Sequence, residues 1–220
     1  MMTLPNPRYH VPDFSPRDRG ELKAMSPCWI FVAESPHVNE VESEDLKLRR
    51  PLCGAAGKQW WSLVSELLEG HASPDVSYSH ILSLCLQHRI AVMNAVQSPL
   101  DPAIARLYPD AEPVRNLGFR KGTGPESYKR LKAGPVVQAA LQNLHERLTH
   151  PALAKAPVFC LGNDAEWFVT QALSPAEAAQ RVGEKIPHPS AWWRRGGLYG
   201  ELAREKLEKM FRSERLMWPI

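Results

Sequence analysis

Three short apolar runs do most to limit how this chain can fold: WIFVAE (Trp29 to Glu34), IAVMNAV (Ile90 to Val96) and VFCLG (Val158 to Gly162). Each has the length of a strand and none alternates as a half-exposed strand does, so all three read as strands buried on both faces. A weaker fourth run, VGEKI (Val182 to Ile186), follows. Between and after them come stretches with helical periodicity: GKQWWSLVSELLE, YSHILSLCLQHR, GPVVQAALQNLHERL, NDAEWFVTQALS and LYGELAREKLEKMFRSE. Strands alternating with helices at this spacing predict crossover units, a mostly parallel sheet and an α/β fold.

The chain's 220 residues suffice for one full core and are too few for two comfortable ones, so a single domain over residues 28–220 is expected. Residues 1–27, rich in proline and charge and without sustained period, read as an extended arm, with the core beginning near Cys28. The segment from Gly118 to Pro135 is basic and too dense in glycine for a regular element, and loops of that length are commonly functional or disordered.

The four cysteines, Cys28, Cys53, Cys85 and Cys160, stand far apart, without the close pairing of zinc or cluster sites. That spacing predicts no metal and a reducing compartment. No apolar run approaches the roughly 20 residues of a membrane-spanning helix, and the first 25 residues lack the apolar stretch of a secretory signal, so a cytoplasmic protein is expected. A net charge of +3 and a pI near 8.7 permit a polyanionic partner without demanding one.

Ligands of an open parallel sheet bind outside the carboxyl ends of its strands. Strand one ends at Glu34-Ser35-Pro36-His37, strand two carries Asn94, strand three ends at Gly162-Asn163-Asp164, and the fourth run leads into Pro187-His188-Pro189-Ser190. Four polar clusters from distant parts of the chain should therefore meet at one edge. Taken singly, Glu34 could cap the turn after its strand, His188 could pack between its prolines, and Asn94 could satisfy buried backbone groups.

The order AESPH, RRPLCGAAG, MNAV, VFCLGNDA and IPHPSAWWRRG resembles the uracil-DNA glycosylase superfamily, and within it the branch whose first motif reads GEAPG. The match runs from about Trp29 to Gly197. It implies a three-layer α/β/α sandwich around a four-stranded parallel sheet, a DNA partner, no cofactor, a monomer, and hydrolytic removal of a flipped-out base. By the motif match, Glu34 is the carboxylate that stabilises the sugar cation or orients water, and His188 donates to the carbonyl of the leaving base. Asn94 offers a donor and an acceptor to a base edge, and Leu52, Ser35 and His37 join it in the base pocket. Gly54 and Gly57, flanking two alanines, allow close approach to a base or phosphate, or equally close helix packing; Ser190 is a further phosphate candidate.

The loop Trp192, Trp193, Arg194 and Arg195 matches the family segment that inserts into the duplex, although one tryptophan is expected to close the core. Arg120, Lys121, Lys129, Arg130 and Lys132 are a second set of phosphate candidates, with a solvated basic face as the plainer alternative. The sequence departs from the branch at three places. Ala33 and His37 replace glycines of the first motif, Leu52 replaces an aromatic that stacks on the base, and the cysteines do not match those that hold an iron–sulfur cluster in several members. A different lesion, such as hypoxanthine or xanthine, is one consequence. A non-catalytic member that binds nucleic acid or nucleobase is the main alternative, and a small-molecule hydrolase using Ser35 and His188 a more distant one.

Overall fold

The computed structural model describes residues 9–41, 43, 45, 47–99 and 135–215. Among them three strands, β1 (Trp29–Ala33), β2 (Ile90–Asn94) and β3 (Val158–Cys160), form a parallel sheet in the order β2-β1-β3. Every residue of β1 and β2 is buried, which is why both appear in the sequence as unbroken apolar runs.

The helices are α1 (Val38–Val41), α2 (Ala55–Glu69), α3 (Tyr78–His88), α4 (Pro135–Leu148), α5 (Asn163–Ala172), α6 (Pro175–Arg181) and α7 (Leu198–Arg215). The protein is thus mixed α/β. Trp29 and Phe31, two apart on β1 and so on one face, meet Phe211 of α7 at ring-centroid distances of 5.0 and 6.5 Å, and Phe31 meets Trp60 of α2 at 4.8 Å. Edge-to-face contacts of this kind add to the large apolar area these rings remove from water. Trp60 and Trp61 of α2 are both fully buried. Helix α6 opens with a capping box, Ser174 accepting from the Glu177 N–H while the Glu177 carboxylate accepts from the Ser174 N–H, as the pattern SPAE allows.

Two expectations need correction. The run Val182 to Ile186 does not form a fourth strand: it touches β3 only through isolated bridges, Val182 to Val158 and Ile186 to Leu161. Between the bridges Gly183 packs against Phe159, where a β-carbon would lie 2.4 Å from the ring. The core also begins before Cys28. Phe14 exchanges two backbone hydrogen bonds with Val92, of 2.8 and 2.9 Å, and Phe14, Leu22 and Met25 belong to the main core cluster. Part of the leading segment therefore belongs to the core, with Phe14 paired along the free edge of β2. The basic candidates Arg120, Lys121, Lys129, Arg130 and Lys132 lie outside the described residues. No helix among those described is long and apolar enough to cross a membrane.

Candidate functional site

Parallel pairing brings the strand exits to one edge. Ala33 lies opposite Asn94, and the chains remain joined beyond β1 and β2 as the Ala95 and Val96 N–H groups donate to the carbonyls of Ala33 and Glu34 at 2.7 and 3.0 Å. On the other side of β1, the Leu161 N–H donates to the Val32 carbonyl at 2.8 Å, and Gly162 follows. Glu34 is thus placed between the exits of β2 and β3, with its side chain half-buried.

Gly162 has φ +92°, and a β-carbon on it would sit 3.0 Å from Cβ of His188. Glycine here serves both the left-handed backbone and the histidine standing over it. The His188 Nδ1 accepts from the Ser190 N–H at 3.2 Å and lies 2.8 Å from the Ser190 hydroxyl. An Nδ1 that accepts places the neutral ring's proton on Nε2. Desolvation pushes the His188 pKa down to about 4 against the pull of Asp164, so at neutral pH the ring is uncharged and Nε2–H is its donor. Ser190, the phosphate candidate, is exposed and orients this histidine.

The most enclosed part of the site is a carboxyl that the sequence reading missed. Glu40, in α1, is 4% exposed and joins three segments. Its Oε1 accepts from the Leu52 N–H and its Oε2 from Nδ2 of Asn94, each at 3.0 Å. Burial pushes its pKa up to about 8, against the hydrogen bonds from Asn94 and the backbone, which favour the charged form. Asn94 is fully buried, and among the described residues its Oδ1 has no hydrogen-bond partner. The amide expected to meet a base edge is therefore held by Glu40 on its donor side and unmatched on its acceptor side.

The segment from Leu52 to Gly57 is a wall of a different kind from that expected. Leu52 has φ +57°, its side chain is 4% exposed and part of the core, and its carbonyl accepts from Trp61 Nε1 at 3.1 Å. A β-carbon on Gly57 would lie 1.8 Å from that carbonyl oxygen, and one on Gly54 would lie 3.0 Å from Nδ1 of His37. Gly57 is thus required by the Leu52 backbone, whereas Gly54 meets only the exposed His37 side chain. His37 is exposed, and Ser35 half-buried, in that same turn.

The terminal loop divides its two tryptophans. Trp192 is 9% exposed, donates from Nε1 to the Pro187 carbonyl at 2.8 Å and lies 6.4 Å from Trp60, whereas Trp193 is 70% exposed. The Arg194 guanidinium sits 5.8 Å from the Trp193 ring centre and that of Arg195 5.6 Å from Tyr199, leaving two exposed cations and a large ring on one projection. Among the described residues no three His, Cys, Asp or Glu side chains are grouped to hold a metal ion. No protein-family model matches the chain, and a search of curated proteins likewise finds no match.

Proposed function

We propose that this chain is a hydrolase of the uracil-DNA glycosylase type, built as a three-layer α/β/α sandwich, that excises an imide- or lactam-bearing base from DNA. The observation that carries the reading is the orphaned Asn94 Oδ1 at the carboxyl edge of the sheet. A buried acceptor without a donor costs about 1–3 kcal/mol, and a ring N–H beside a carbonyl, as in uracil, hypoxanthine or xanthine, is the donor that fits. Glu40 reinforces that choice by accepting from Nδ2, which leaves the oxygen for a donor from a ligand.

Around this reader the roles follow from charge. Cleaving the glycosidic bond leaves positive charge on the sugar and negative charge on the departing base. Glu34 opposes the first or orients the attacking water, and the fixed Nε2–H of His188 opposes the second. A neutral donor with a low pKa needs no protonation before the reaction. Trp193, Arg194 and Arg195 suit the displaced duplex, the ring against bases and the cations against phosphates. The full burial of Asn94 favours a second reading, in which the same fold binds nucleic acid without chemistry.

One experiment separates them. Purified protein is incubated with single- and double-stranded oligonucleotides carrying uracil, hypoxanthine or xanthine, and abasic sites are then cleaved with alkali. Scission by the wild type, reduced about 100-fold or more in Glu34→Gln and in His188→Ala, is expected. Binding without scission on any lesion would establish the second reading, and scission indifferent to both substitutions would remove the assigned roles.

A further inference from the structure

The backbone carbonyl of Asn94 is held as closely as its side-chain N–H. Arg147 of α4 donates from Nη1 to the backbone carbonyl of Asn94 at 2.8 Å and from Nη2 to that of Ala95 at 2.7 Å. The same Nη1 reaches both Asp13 oxygens, at 3.2 and 2.9 Å, and Nε donates to Asn143 Oδ1 at 2.9 Å. Both side chains of the Asp13–Arg147 pair are at 0% exposure. Residues 11–18 extend the grip: the Val11 N–H donates to the Gln97 carbonyl at 2.9 Å, and Gln97 Nε2 donates to Asp18 Oδ2 at 3.1 Å.

An ion pair this deeply buried is a poor device for stability, since apolar side chains of similar volume often serve as well or better. What an apolar pair lacks is a rigid planar fork that meets a carboxylate and two carbonyls together. We propose that Arg147, clamped by Asp13, is a positioning residue that fixes the direction of the Asn94 side chain, making residues 11–18 part of the base-reading device. The inference rests on the base-reading role given to Asn94 above. It explains why a charged residue of the leading segment is buried against the strand exit that bears the site.

The test compares wild type with Arg147→Lys, Asp13→Asn and the apolar double variant Asp13→Leu with Arg147→Met, the last designed to keep packing while removing the fork. Urea midpoints, and kcat and KM on uracil and hypoxanthine oligonucleotides, are measured for each. The expected result is a double variant that folds, with KM raised about tenfold or more and discrimination between the two bases reduced, and a smaller change of the same kind in Asp13→Asn; tenfold corresponds to one well-aimed hydrogen bond. A folded double variant with the wild-type KM and base preference would overturn the inference. So would its failure to fold, since the pair would then be holding the framework and not the side chain. Wild-type protein that releases no base removes the functional reading and this inference together, whereas an active wild type with indifferent variants removes this inference alone.

Discussion

Gly57 shows how closely one atom can decide a site. The Leu52 carbonyl occupies the place of its missing β-carbon, 1.8 Å away, and that carbonyl is in turn anchored by Trp61 at 3.1 Å. Gly57→Ala must therefore push backbone against backbone, where no rotamer change can relieve the overlap. The expected cost is about 3 kcal/mol, at the upper end for overpacking, read as a lowered urea midpoint; a variant as stable as wild type would show that the Leu52 turn can move freely. Residues of this kind were only half legible. A glycine beside alanines announces a close approach, but the sequence does not say whether a phosphate or a neighbouring carbonyl makes it. Glu40 was not legible at all, because its meaning comes from Asn94, 54 positions away along the chain.

At the scale of elements, the segment between Ser190 and α7 separates a structural tryptophan from an exposed one. Trp192 closes the core over Trp60, and three successive residues in left-handed conformations, Arg195 (φ 52°), Gly196 (φ 66°) and Gly197 (φ 93°), then turn the chain into α7. Trp193 and Arg194 project before that turn. Trp193→Ala is expected to change stability by less than about 0.5 kcal/mol, as at other exposed positions, while weakening binding to a lesion-bearing duplex. Arg194→Ala should lower the slope of log affinity against log salt by about 1. Titrations of fluorescent duplex at several salt concentrations check both, and unchanged affinity in both variants would detach this loop from DNA. The strands were the most legible elements, since burial on both faces writes itself as an uninterrupted apolar run. The fourth run meets β3 at two isolated bridges, with Gly183 packed against the Phe159 ring, a contact the local pattern does not record.

For the molecule as a whole, the two most perturbed groups at the site act on stability in opposite directions. The His188 pKa is lowered to about 4, so between that value and its ordinary one of 6.5 the unfolded chain binds the extra proton, and stability rises with pH. The Glu40 pKa is raised from 4.5 to about 8, so across that window the folded chain holds the extra proton, and stability falls as pH rises. Glu40→Gln removes the second effect only. The stability of this variant relative to wild type should climb as pH goes from about 5.5 to 7.5, at a slope approaching 1.4 kcal/mol per pH unit, the equivalent of one pKa unit. Urea denaturation at a series of pH values measures it; parallel curves for the two proteins would mean that Glu40 is not titrating from a buried state.

The sequence by itself determined the parallel α/β plan and the strand exits to which Glu34 and Asn94 belong, because those features are local: a run buried on both faces, a turn residue where the run ends. His188 was placed near them by motif order, and the structure seats it on Gly162 at the exit of β3. Tertiary structure alone decided what these groups can do. It buried Glu40 under Asn94, leaving Oδ1 unmatched, and set Nδ1 of His188 on Ser190. It also brought Asp13 across 134 positions to Arg147 and the carbonyl of Asn94. Each of these depends on dehydration and on partners far apart in the chain, and neither desolvation nor a long-range hydrogen bond leaves a period or a spacing behind in the order of the residues.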